Sequence, residues 1–108
     1  MVSFQTTSPW YNGRPTFTGV PLQKLMDYVG AKGSIVKVTA LNDYTTVIPL
    51  NDFKKYNVIL ALKINGEYMR IRDKGPLFVV YPYDSLPELN NQIFYSRSAW
   101  QVSKMMIE

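Results

Sequence analysis

The sequence predicts an α+β domain, a mixed β-sheet with few short helices, and three observations carry that reading. SIVKVTA (34–40) alternates β-branched and polar residues. NVILALKI (57–64) and LFVVYP (77–82) are short apolar runs bounded by turn formers. Only PLQKLMDYVG places its apolar residues at helical spacing.

The elements follow in order. VSFQTT (2–7) alternates and reads as a strand. Pro9, Asn12-Gly13 and Pro15 make 8–19 an irregular loop. Leu22, Leu25, Met26 and Val29 share one face, Pro21 suits a first helical turn and Gly30 a stop, so 21–29 is a helix. A strand over 34–40 leads to a turn at Asn42-Asp43, after which TTVIPL resumes the extended pattern. Asn51 or Asp52 is a candidate cap for a single turn through Phe53 to Tyr56. The strand at 57–64 meets Asn65-Gly66, a strong hairpin signal, and continues into EYMRI. RDKGP (72–76) breaks the pattern before the strand at 77–82, which Pro82 ends. Residues 84–92 read as loop with room for a helical turn, and SAWQVSKMMI as a last strand. There are no internal repeats and no linker, so the 108 residues are read as one domain.

Composition removes whole classes of chemistry. The chain has no cysteine and no histidine, so disulfides, thiolate metal sites, cysteine nucleophiles and histidine-based triads are all excluded. No pair of carboxylates stands out as an acid/base couple, so no catalytic residue and no metal ligand is assigned. The net charge of +4 favours anionic partners. Its basic residues are scattered, however, with Lys54-Lys55 the only adjacent pair, and a solvated surface explains them better than a nucleic-acid patch. No apolar run reaches the roughly 20 residues that span a bilayer, and MVSFQTTSPW has neither the basic nor the apolar region of a signal peptide.

Three irregular segments concentrate the special residues: SPWYNGRPTF, LNDYTT and RIRDKGP. Each alone has a plain structural explanation as a core edge, a turn or a solvated hairpin end. Together they suit one site for a planar heteroaromatic ligand. Such a ligand needs stacking faces, a hydrogen-bonding edge and charge complementarity. Trp10, Tyr11 and Tyr44 supply faces. Asp43 or Asp73 is the candidate acceptor of paired hydrogens, unless Asp73 only pairs with Arg72. Arg14, Arg72 and Lys74 are candidates for oxygens or an anionic tail.

The segments FTGVPLQKLMDYVGAKG, ALNDYTTVIPLNDF, VILALKINGEYMRIRDKGPLFVVYP and AWQVSKMMI resemble the molybdopterin-binding domain of the sulfite oxidase family, in the same order and over most of residues 10–108. The resemblance implies a sulfite-oxidase-like fold and a pterin cofactor. Catalytic members of the family it resembles hold molybdenum through a cysteine just after the strand that precedes the Gly-Val-Pro-Leu helix. That position falls here among Thr7, Ser8 and Pro9, so a tetrahydropterin-like ligand is expected without molybdenum.

TTSPW, FTGVPL, ALNDY, RDKGP and Trp100-Gln101 are similar in more detail to short bacterial periplasmic proteins of this fold. Some of these are pterin-binding regulators of membrane diguanylate cyclases or phosphodiesterases. The resemblance therefore implies a non-enzymatic periplasmic regulator whose partner is the periplasmic domain of a membrane signalling protein, without nucleic acid and without insertion into the membrane. Relative to such proteins the chain is expected to lack a signal peptide and an N-terminal segment. Two alternatives stand beside it: a molybdopterin-dependent oxidoreductase subunit, and a basic module that binds nucleic acid or acidic protein.

Overall fold

The computed structural model describes residues 1–108. Its strands are β1 (Val2–Gln5), β2 (Thr16–Pro21), β3 (Ile35–Ala40), β4 (Thr45–Pro49), β5 (Ile59–Ile64), β6 (Glu67–Tyr68), β7 (Phe78–Val80) and β8 (Val102–Ile107). Three short helices, α1 (Leu22–Val29), α2 (Asn51–Lys55) and α3 (Gln92–Arg97), lie between them. The α+β class with few short helices holds. In detail the strands divide between two sheets, one ordered β1-β2-β5-β6 with β7 also on β5, the other β4-β3-β8. Neighbouring strands run antiparallel in both.

The alternation in β3 explains how the smaller sheet closes on the core. Val36, Val38 and Ala40 are buried while Lys37 between them is exposed. Ile48 of β4 is buried opposite Val36. These residues join Phe17, Leu22, Met26, Phe53, Ile59, Phe78 and Val80 in one cluster, so both sheets share a single core. Helix α1 begins after Pro21, buries Leu22 and Met26, and stops at Gly30, whose φ of 65° is the left-handed end such a stop needs. Asn65 and Gly66 take φ of 50° and 85°, the pair of positive values that a two-residue hairpin turn requires.

Several expectations need correction. Residues 16–19 belong to β2 rather than to a loop over 8–19. Pro15 precedes its six residues, Pro21 is the last of them and Gly19 interrupts them, which hid the strand. Neither Asn51 nor Asp52 caps α2, whose N-cap is Leu50; the Asp52 carboxylate turns inward instead. Of EYMRI only Glu67 and Tyr68 pair, because Met69 is drawn into the core and Ile71–Asp73 coil into a 3₁₀ turn. The helical turn allowed for in 84–92 is present as 3₁₀ turns at 83–85 and 87–89, but α3 fills 92–97 ahead of a last strand that starts only at Val102.

Gly19 shows how tightly the larger sheet is set. A Cβ there would lie 2.1 Å from the Leu60 carbonyl oxygen, next to the register shift between Thr18 and Gly19 in the β2–β5 ladder. Gly19→Ala is expected to lower unfolding free energy by about 2–4 kcal/mol in a urea titration, because backbone rather than a flexible side chain must give way.

Candidate functional site

Residues 6–15 leave β1, carry Trp10 outward and return to β2, so something must hold both ends of the excursion. Asp84, in the 3₁₀ turn at 83–85, does this. Its carboxylate accepts from the Thr7 backbone N–H at 2.9 Å, from the Thr7 hydroxyl, and from Arg14 Nε at 3.1 Å. Thr6, fully buried, accepts the Asp84 N–H through its own hydroxyl. The hydroxyl run ahead of Trp10 is thus a clamp for the loop. Hydrogen bonds from Thr7, followed by Arg14, hold the Asp84 carboxyl below its ordinary range.

Within that frame Trp10 meets four rings edge-on, with centroids 5.4 Å to Phe78, 6.1 Å to Tyr83, 5.9 Å to Tyr95 and 5.6 Å to Trp100. The half-buried indole forms part of a cleft of about 410 Å³, a size suited to a small organic ligand. Four aromatic residues line it: Trp10, Tyr44, Tyr95 and Trp100. Asn42 and Gln92 bring amides, Ser96 and Ser98 hydroxyls, and Pro9, Ala40 and Ala99 apolar wall. No charged side chain is among these eleven residues.

One side of the cleft is a single stretch, Gln92 to Trp100, which contributes six of the eleven lining residues. It is tied down at several points. Arg97 reaches the buried Asp52 carboxylate at 2.8 Å, and the Tyr81 hydroxyl donates to the same oxygen. Burial first, then that hydrogen bond to Asp52, pushes the Tyr81 phenol far up. Phe94 packs edge-on against Tyr56 and Tyr81. Ser98 donates its one hydroxyl proton to the Phe94 carbonyl, so the buried Tyr83 hydroxyl is the donor in the bond the two side chains share. Across the mouth, the Tyr44 hydroxyl donates to the Ser96 carbonyl at 2.7 Å.

Backbone strain gathers around the same place. The non-glycine residues at positive φ include Asp43, beside Tyr44, and Lys74 and Gln101, on either side of Trp100. Gln101 N–H donates to the Lys74 carbonyl at 3.0 Å, and the Lys74 ammonium sits 4.2 Å over the Trp100 ring.

Of the residues singled out from sequence, the structure places Trp10 and Tyr44 in the cleft and Lys74 on a ring that lines it. The others stand outside the lining. Tyr11 packs edge-on against Phe17 and donates to the Asp73 carbonyl at 3.0 Å. Burial first, and then the Asp73 charge, raises the Tyr11 phenol. Arg14 serves the Asp84 clamp. Asp73 pairs with Arg70 at 3.2 Å, not with Arg72. Arg72 is exposed, and Asp43 forms the turn before β4. Sequence reasoning missed Asn42, Gln92, Tyr95, Ser96 and Trp100 as lining residues. The aromatic density of FYSRSAW was the available signal.

A protein-held molybdenum needs a soft donor directed at the metal. The cleft offers amides, hydroxyls and rings, and no cluster of acidic, cysteine or histidine residues able to hold a metal exists in the fold. Thr7 is committed to Asp84, Pro9 has no side-chain donor, and the Ser8 hydroxyl oxygen is buried without a partner. These residues do not fit molybdenum ligation.

The Asp84 clamp has a pH signature. A carboxyl held below its ordinary value of 3.8 stabilises the fold above that pH and loses the effect as pH falls through the lowered value. The melting temperature of the parent should therefore exceed that of Asp84→Asn at neutral pH, with the gap closing in strong acid. A gap that stays constant down to about pH 2 would show that the clamp does not act through the ionised carboxylate.

Residues 3–84 match the family described as "Oxidoreductase molybdopterin binding domain". No curated protein matches the chain. The matched stretch includes Trp10, Asn42 and Tyr44 but ends before the wall at 92–100. By that match, over most of its length, the chain belongs to the oxidoreductase molybdopterin-binding domain family.

Proposed function

We propose that this protein is a non-enzymatic pterin-binding module, with the ligand in the cleft between Trp10, Tyr44 and Trp100. The observation that carries the reading is the convergence on one cleft of four aromatic residues from three separate segments, with two amides beside them. A pterin ring offers a flat face and an amide-like donor–acceptor edge. Stacking against a lining ring serves the face, at about 0.5–1.5 kcal/mol per contact beyond area burial. Gln92 presents an exposed amide, with both donor and acceptor, for the edge. Asn42 Oδ1 already accepts the Tyr44 N–H at 3.2 Å, which leaves its NH₂ to donate. This edge recognition replaces the carboxylate expected at Asp43 or Asp73.

The lining holds no cysteine, histidine or carboxylate to act as nucleophile or acid/base pair. Such a domain works through what its surface presents with and without ligand. The similarity carried by TTSPW, ALNDY and RDKGP supports a periplasmic setting and, as partner, the periplasmic domain of a membrane diguanylate cyclase or phosphodiesterase. In this reading, ligand in the cleft fixes the 6–15 loop and the 92–100 wall against each other, and the partner reads that arrangement.

Titration with a tetrahydropterin, followed by tryptophan fluorescence, tests the cleft. Tyr44→Ala and Trp100→Leu should each weaken binding by about tenfold, or roughly 1.4 kcal/mol. Arg72→Gln and Asp73→Asn should bind like the parent. Equal loss in all four variants, or loss only in the second pair, would put the site elsewhere. Elemental analysis should find no stoichiometric molybdenum; about one per chain would favour the oxidoreductase-subunit reading. A membrane pull-down with and without pterin addresses the partner. Failure to retain a signalling protein under either condition would reduce the function to pterin carriage.

A further inference from the structure

With no cysteine in the chain, the side chains that give up a single electron most readily are the indoles and the phenols. The fold sets several of them in a row that starts at the aromatic cleft and runs inward. Trp10 lines the cleft. The Tyr83 ring lies behind it, with centroids 6.1 Å apart, and the Tyr81 ring comes next, 6.2 Å from Tyr83. Rings this close pass an electron from one to the next without a mobile carrier. Packing alone accounts for rings in contact. The polar groups around them decide where a positive hole would come to rest.

A phenol that loses an electron becomes a strong acid, and inside a core its charge is tolerated only if the proton leaves. The hydroxyl's partner therefore selects the ring that holds the hole. Tyr83 donates to Ser98, whose own proton goes to the Phe94 carbonyl. That partner is a neutral hydroxyl, a poor base for a second proton. Tyr81 donates instead to Oδ2 of Asp52 at 2.8 Å, and a carboxylate is a base already in place. Tyr81 is fully buried. Burial first, then the bond to Asp52, raises its phenol, so it keeps its proton until it is oxidised.

We propose that Trp10, Tyr83 and Tyr81 form a path for single electrons between the cleft and the core, with Asp52 as the proton acceptor at its inner end. The oxidant is an organic radical that reaches the cleft; it takes one electron from Trp10 and is itself reduced by one electron. Tyr81 then returns an electron to Trp10 by way of Tyr83, while its phenolic proton crosses to Asp52 Oδ2. The products are a neutral indole, a Tyr81 phenoxyl radical and a protonated Asp52 carboxyl. The charges of the indole cation and the carboxylate have cancelled, so no ion is left without a counter-charge on the path. Arg97 loses its ionised partner in the same step, which opposes it, but a side chain with 24% accessibility still reaches water. The acidity of an oxidised phenol outweighs that loss. The path draws oxidising equivalents away from whatever ring the cleft holds, and it does not depend on which ring that is.

Gln92 is an exposed residue of the cleft lining. In a chain without cysteine, Gln92→Cys gives a single attachment point there for a ruthenium polypyridyl photo-oxidant. Tyr44→Phe and Tyr95→Phe, made on the same background, keep the cleft rings and remove the phenols nearest the label. After a flash with an electron-accepting quencher, transient absorption should show an indole radical that decays as a phenoxyl radical grows in. Because the proton acceptor is inside the protein, the growth rate should not change with the concentration of buffer base. Adding Tyr81→Phe should abolish the phenoxyl signal and lengthen the life of the indole radical. Asp52→Asn, with Tyr81 in place, should do the same, while circular dichroism reports whether each variant is folded. A phenoxyl signal that persists in folded Tyr81→Phe overturns the proposal, since the electron then comes from another ring. A rate that rises with buffer base, or an indole radical with no phenoxyl after it, overturns it without recourse to either substitution.

Discussion

The structure turns on the burial of Trp10. An indole on an irregular ten-residue excursion has no ladder to hold it, so its position is set by the rings it meets and by the clamp on its loop. Four edge-to-face partners come from β7, the 3₁₀ turn at 83–85, α3 and Trp100, all more than sixty residues along the chain from the loop. Each such pair contributes about 0.5–1.5 kcal/mol beyond area burial. Their geometric effect is larger, since edge-on packing on several sides leaves the indole little freedom to rotate.

The 92–100 stretch that packs on Trp10 is held by a different kind of force. Arg97 and Asp52 form an ion pair that is only partly exposed, with side-chain accessibility of 24% and 11%. Desolvation makes such a pair a weak source of net stability. Its directionality is what matters here. The Asp52 oxygen accepts from Arg97 and from Tyr81 together, so the end of α3 is fixed relative to α2 and to the chain leaving β7. Phe94 fills the space between, against Tyr56 and Tyr81. A helix of six residues has little intrinsic stability, and these contacts supply what its own hydrogen bonds do not.

Legibility in the sequence followed the range of the interactions. Helix α1 was readable because Pro21, Leu22, Met26 and Gly30 state its start, face and end within ten residues. The hairpin at Asn65-Gly66 was equally local. Strand β2 was not, because Gly19, which looks like a loop residue, is there to let the β5 backbone approach. Helix α3 was hidden because QIFYSR is too short to show periodicity and is stabilised by Asp52, far away in the chain. The candidate site divides in the same way. Trp10 and Tyr44 stood out as aromatics beside turn signals. Tyr95 falls in 93–97, to which the sequence assigns no element, and Trp100 in the expected last strand. Arg14 and Asp73 were drawn into the site by their chemistry, whereas the fold commits Arg14 to Asp84 and Asp73 to Arg70.

The contiguity of the wall at 92–100 bears on how the protein can diversify. Most binding clefts draw their lining from scattered positions, so a new specificity needs coordinated change across a domain. Here a nine-residue stretch supplies six of the eleven residues that line the cleft, and its anchors, Asp52, Tyr81 and Tyr83, lie in the body of the fold. In the proposed reading, exchange of Gln92 or Ser96 would alter what the cleft presents without touching a sheet residue. In that reading, a change of ring specificity would need one short exchange, with the scaffold that carries it left intact.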